Sequence, residues 1–248
     1  MTKFIKTPHG STIAYNKIKG EKVGIVFLSG FNSDMQGKKA LYIENWAKKN
    51  NHSFLRFDYS GHGQSSGKLN QTCFSDWYND AQFIINSVTE KKQILIGSSM
   101  GGWIMLKLAK KMPEKVSSII GLAAAPDFPK VLIWDKMNLK QKRELIKNKG
   151  VCIKNDYGSE NFFSYDFIKD SFDNLVLTED IFFNGPVFLY HGMQDTDVPY
   201  NLSTKISNKI IGTKNIKILL EKYGGHRLSE DNQLQTIINL IKQVKKLI

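Results

Sequence analysis

Apolar residues in this chain gather into short, nearly unbroken runs, separated by longer stretches in which they recur every three or four positions. Val23–Leu28, Ile94–Ile96, Val116–Ala123 and Val187–Tyr190 are of the first kind. Strands buried on both faces of a parallel sheet read this way, because neither face meets water and the polar alternation is lost. Ser11–Tyr15, Ser53–Phe57 and Ile216–Leu220 predict further, shorter strands. The second pattern places Ala40, Leu41, Ile43, Trp46 and Ala47 on one helix, and Phe74, Trp77, Ala81, Ile84, Ile85 and Val88 on the next. A third helix runs from Met100 until Pro113 ends it, a fourth covers about Leu202 to Ile211, and the last carries Leu234, Ile237, Ile238, Ile241 and Val244. Strand and helix patterns that repeat in this order predict an α/β protein with a mostly parallel central sheet flanked by helices on both faces.

Pro126 and Pro129 interrupt the regularity, and from there to about Gly185 the sequence is aromatic, charged and less periodic. The expectation is a single domain over residues 1–248, with residues 126–185 inserted as a helical cap above the C-terminal edge of the sheet.

Composition narrows the picture. A hydrophobic fraction of 41% suffices for one sizeable core. No stretch approaches the length of a membrane span, and the first residues lack the apolar segment of a secretory signal, so a cytoplasmic protein without a transmembrane segment is expected. Cys73 and Cys152 form no Cys-x-x-Cys motif and no zinc-ligand spacing. The net charge of +12 comes mostly from lysines scattered among acidic residues, the densest stretch lying between Lys140 and Lys149. Without interleaved aromatic residues or a zinc module, that stretch reads as solvated surface, and no specific nucleic-acid binding is expected.

The chemistry lies in the loops after the strands. Gly97-Ser98-Ser99-Met100-Gly101 follows a strand and opens a helix, so Ser99 stands on a sharp turn that small neighbours permit. A serine hydroxyl needs a base to remove its proton. His226 follows the last core strand in the Gly-rich loop Gly224-Gly225, and Asp195 follows the strand before it, where a carboxylate can hold the imidazole in its useful tautomer. Asp197 is the alternative acid, with Asp195 then capping a helix. For a carbonyl oxygen that gains charge, the backbone N–H of Met100 is one candidate donor and that of Phe31 another, Gly30 leaving room for the approach. The alternative for Phe31 is a side chain that only lines the pocket. His62 reads as a structural hydrogen bond or pocket contact and Asp58 as a loop anchor, and their spacing specifies no metal site.

Arg56–Gly61, Gly97–Trp103, Leu189–Asp195 and the pair His226-Arg227 together resemble the α/β-hydrolase serine esterases, in particular the branch of mitochondrial acyl-protein thioesterases and mycophenolic acid acyl-glucuronide esterases. The resemblance extends from the loop near Gly30 to the terminal helix, and the order Ser99, Asp195, His226 is that of the family. It implies an α/β-hydrolase fold with Ser99 as nucleophile, Asp195 as acid, His226 as base, and the Phe31 and Met100 amides as oxyanion donors. It further implies hydrolysis of a carboxylic ester or acyl thioester through an acyl-serine, on a small-molecule substrate or an acylated protein, with no metal or organic cofactor. A noncatalytic member that binds a small molecule or a protein in the same cleft is the alternative.

Overall fold

The computed structural model describes residues 1–154 and 160–248, so residues 155–159 of the predicted insertion lie outside the described residues. In chain order the elements are β1 (Lys3–Lys6), β2 (Thr12–Ile18), β3 (Lys22–Leu28), α1 (Lys38–Lys49), β4 (His52–Phe57), α2 (Phe74–Val88), β5 (Gln93–Ser98), α3 (Met100–Lys111) and β6 (Val116–Leu122). There follow α4 (Leu139–Asn148), β7 (Gly150–Lys154), β8 (Glu160–Ser164), α5 (Tyr165–Phe172), β9 (Ile181–Phe182), β10 (Val187–Gly192), α6 (Asn201–Lys209), β11 (Ile210–Ile211), β12 (Ile216–Glu221) and α7 (Asp231–Val244).

The main sheet has the order β1-β2-β4-β3-β5-β6-β10-β12. β1 and β2 are antiparallel to their neighbours, and from β4 onward every pair is parallel. The central strands are buried on both faces, as their unbroken apolar runs require. Alternate residues feed two separate cores. Val26, Leu28, Leu95, Ile119 and Leu189 face α2 and α3 residues such as Trp77, Trp103 and Met105. Ile25, Phe27, Ile94, Ile96, Ile120 and Phe188 face α1 and the apolar stripe of α7, where Leu234, Ile237, Ile238, Ile241 and Val244 are buried. The chain leaves β3 in one direction and returns to β5 on its other side. That reversal opens a crevice at the carboxyl ends of the strands, where sheets of this kind bind ligands.

β1, β7, β8, β9 and β11 have no counterpart in the sequence reading, and Ile210–Ile211, expected as the end of a helix, pairs as β11 with β9. β1 is a four-residue Lys-Phe-Ile-Lys edge strand with Phe4 exposed, so it carries no apolar period to detect. The segment between β6 and β10 is helical at its ends, but β7 and β8 make an antiparallel hairpin in its middle. The hairpin pairs Val151 with Phe163 and Cys152 with Phe162, and β-branched and aromatic residues suit a pleated pair better than a helix. The segment's described buried apolar residues join a shared core. Leu145, Phe163, Phe167 and Ile168 join the cluster that contains Trp77 and Trp103.

Candidate active site

Loops after β3, β5, β10 and β12 meet above the sheet, and each carries one of the residues singled out from sequence. Ser99 turns directly from β5 into α3 with φ 54° and ψ −120°, a conformation that a residue bearing a Cβ adopts only when its surroundings enforce it. Its N–H donates to the Leu122 carbonyl at 3.0 Å, and its carbonyl accepts from Gly102 at 2.8 Å and Ala125 at 3.0 Å. The flanking glycines are required by space. A Cβ on Gly97 would lie 2.5 Å from the Gly101 carbonyl oxygen, and one on Gly101 would lie 2.1 Å from that of Leu28. The first turn of α3 is therefore pressed against the end of β3.

His226 lies between the other two residues. Its Nε2 is 3.1 Å from Ser99 Oγ and its Nδ1 is 2.7 Å from Asp195 Oδ2. A carboxylate only accepts, so Nδ1 carries the proton and Nε2 is left to accept from the serine hydroxyl. Asp195 Oδ1 accepts from the backbone of Asp197 at 3.0 Å and of Val198 at 2.8 Å, and Oδ2 accepts a second imidazole, His191 Nε2, at 3.1 Å. Burial raises the Asp195 carboxyl, but the hydrogen bonds from His191 and His226 and the charge of His226 outweigh it and hold the group at about 2. The backbone N–H of Asp197, the alternative acid, is thus spent on shaping the Asp195 loop.

Gly30 brings the loop after β3 against Ser99: a Cβ there would sit 3.3 Å from Ser99 Cβ and 3.9 Å from Oγ. As the first residue of α3, Met100 has an N–H outside the helical ladder. The Phe31 ring turns away into an aromatic cluster, stacked on Phe163 at 5.1 Å and Phe167 at 5.8 Å, with Phe128 at its edge. Asn32, at φ 52°, donates its N–H to His62 Nε2 at 3.3 Å, while His62 Nδ1 bonds the Ser60 carbonyl at 3.2 Å. Burial lowers the His62 pKa, which favours the neutral ring that this pair of bonds needs. Asp58 is an anchor, accepting from Met35 at 2.6 Å and Gln64 at 2.8 Å.

Three contributors escape sequence reading. Lys39 Nζ bonds the Arg227 carbonyl, next to His226, and burial followed by the Arg227 charge brings the lysine down to about 8. Asp127, at φ 58°, accepts from Val176 at 2.9 Å and Leu177 at 3.0 Å, joining the two ends of the 126–185 segment. His191 supports Asp195, and the signal was a polar residue inside the apolar β10 run. Among the described residues, Asp195, Asp197 and His226 bring three ligand atoms within 4.8 Å of one another. Both Asp195 oxygens are already filled by N–H donors, so this group fits a hydrogen-bonded carboxylate better than a metal ligand set.

A protein family described as serine aminopeptidase, S33, matches residues 21–165. The rat protein named palmitoyl-protein thioesterase ABHD10, mitochondrial, is 35% identical over 237 residues, covering 95% of this chain and 79% of the rat protein. Mouse alpha/beta hydrolase domain-containing protein 10 has a solved structure that superposes with a TM-score of 0.93 at 33% identity, over 98% of each chain. A putative hydrolase from Agrobacterium vitis S4 gives the same TM-score at 30% identity, again over 98% of each chain. No described helix of the present protein is long and apolar enough to cross a membrane.

Proposed function

Because the chain belongs to the α/β-hydrolase family and is a serine hydrolase of ester or thioester bonds, we propose that Ser99, His226 and Asp195 are its catalytic triad and that its substrates are long-chain acyl thioesters, including acylated proteins. The observation that carries the reading is the continuous pair of hydrogen bonds, 3.1 Å from Ser99 to His226 and 2.7 Å from His226 to Asp195. Thioester preference and acyl length are carried over from the name of the rat relative, and the apolar and aromatic content of residues 126–185, proposed here as the cap, is in keeping with them. The free thiols Cys73 and Cys152 support a reducing compartment, the cytoplasm in the sequence reading, although the rat relative's name carries the word mitochondrial.

In this mechanism His226 Nε2 takes the proton of Ser99 as Oγ attacks the acyl carbon, and Asp195 holds Nδ1–H and stabilises the imidazolium that results. The carbonyl electrons move to oxygen, where the Phe31 and Met100 amides stabilise the oxyanion. As the tetrahedral intermediate collapses, the bond to the leaving sulfur or oxygen breaks, and His226 protonates the departing thiol or alcohol. Water then enters, gives a proton to His226 and attacks the acyl-serine. Collapse releases the carboxylic acid and returns the proton to Ser99 Oγ.

The test is hydrolysis of paired short- and long-chain p-nitrophenyl esters and acyl thioesters by the wild-type protein and Ser99→Ala. The expected result is wild-type turnover favouring long-chain thioesters, with kcat lowered at least ~1,000-fold in the folded variant. Undiminished activity in Ser99→Ala would remove Ser99 from the mechanism, and a preference for short esters would remove the substrate assignment.

A further inference from the structure

We propose that His191 is a positioning residue for the catalytic carboxylate, with Ser203 fixing the imidazole tautomer, so that the working unit has five members: Ser203, His191, Asp195, His226 and Ser99. The inference rests on the reading of Asp195 as acid and His226 as base, and extends it by one layer.

β10 is buried along all six residues, and His191 has no exposed surface. An imidazole in such a strand is tolerated only when both ring nitrogens are partnered. Both are. Nε2 faces Asp195 Oδ2 at 3.1 Å and the Val198 carbonyl at 3.0 Å, and Nδ1 faces Ser203 Oγ of α6 at 2.9 Å. Two pure acceptors at Nε2 require the proton to reside there. In the neutral ring Nδ1 is then an acceptor, and the Ser203 hydroxyl donates to it. Asp195 Oδ2 is consequently shared between two imidazole N–H groups from opposite sides, His226 Nδ1 at 2.7 Å and His191 Nε2 at 3.1 Å. The backbone bonds from Asp197 and Val198 hold only Oδ1. The orientation of the oxygen that faces the base, and the charge it offers, therefore depend on His191.

The same strand end also fixes the loop that bears the base. A Cβ on Gly192 would lie 2.1 Å from the Gly224 carbonyl oxygen, and Gln194 donates its N–H to that carbonyl at 2.9 Å. The acid and base loops are thus stitched together two residues from His226. The titratable groups that meet at Asp195 are His191, His226 and Asp197.

The experiment compares wild type with His191→Leu, His191→Gln and Ser203→Ala. It measures kcat and KM on an acyl thioester and a p-nitrophenyl ester, the acid limb of the kcat/KM pH profile, and the downfield proton resonance of the His226–Asp195 pair. Removing a donor leaves more charge on Oδ2, which favours the protonated form of His226, so the acid limb moves to higher pH in His191→Leu. The expected loss in kcat is about 10- to 100-fold with KM little changed. His191→Gln, whose amide N–H reaches the same oxygen, restores most of it, and Ser203→Ala gives a smaller loss in the same direction. A folded His191→Leu with wild-type kcat and an unmoved limb would overturn the proposal, as would a His191→Gln no better than His191→Leu. Should His191→Leu not fold, a Ser203→Ala protein with wild-type kcat and acid limb overturns it instead. The parent reading fails separately: wild type turning over neither substrate, while the downfield resonance is present and is shifted in His191→Leu and less so in Ser203→Ala, supports the positioning role and rejects the catalytic one.

Discussion

Asp195 is a carboxylate with four N–H donors and almost no contact with water, and that combination couples the chemistry to the stability of the fold. Its folded pKa of about 2 lies below the ordinary carboxylate value of 3.8. The sign follows from proton binding: the unfolded chain takes up a proton here more readily than the folded one. The ionised group thus stabilises the fold fully above about pH 4, and the contribution fades as pH falls through the folded value. The size is on the order of 2 kcal/mol. Urea unfolding of wild type and Asp195→Asn at pH 6 and at pH 3 will show a stability gap that narrows at the lower pH. A constant gap would mean that the carboxylate is not held as described. Ser99, Asp195 and His226 were legible in the sequence because each follows an apolar strand run and lies beside glycines, so strand, turn and functional group announce one another. From sequence, His62 reads as a contact without its partner, and His191 carries no role, since what each bonds depends on residues 30 and 12 positions away.

At the scale of elements, one buried acceptor joins the start of the segment after β6 to the stretch after α5. Asp127 closes residues 126–177 into a loop by taking the Val176 and Leu177 amides, and all three residues are at least partly buried. Asp127→Ala leaves two amides without a partner, at about 1–3 kcal/mol each. The expected outcome is a lower Tm, together with a rise in KM for long-chain substrates greater than that for short-chain ones, because the Phe163 and Phe167 rings stacked on Phe31 shift with the segment. An equal rise for both would place the acyl chain elsewhere. The sequence reading expects a helical cap here and does not foresee the β7–β8 pair. A hairpin of five-residue strands gives too few positions for a period to emerge, and its apolar residues are shared with a core built mainly by α2 and α3. The central strands were legible for the opposite reason, since burial on both faces leaves an unbroken apolar signature that no solvated element imitates. Their order in the sheet was not, because it is set by crossovers over the faces and not by any property of one strand.

At the scale of the molecule, Ser99 and His226 are 127 residues apart and Asp195 and His226 31, on loops after β5, β10 and β12. No subset of the fold holds all three. The insertion shares its core with the sheet, so the expected unfolding is cooperative across both. Covalent labelling of Ser99 by a fluorophosphonate, followed across a urea titration, will fall with the same midpoint as far-UV circular dichroism. Labelling lost at a clearly lower urea concentration would reveal a site that loosens ahead of the sheet. The separation of Ser99 from His226 also bears on how such a protein is made. During synthesis Ser99 leaves the ribosome long before His226, and their hydrogen bond cannot form until the loop after β12 has been made and docked. Under the proposed triad, the assembled site is therefore a late product of folding.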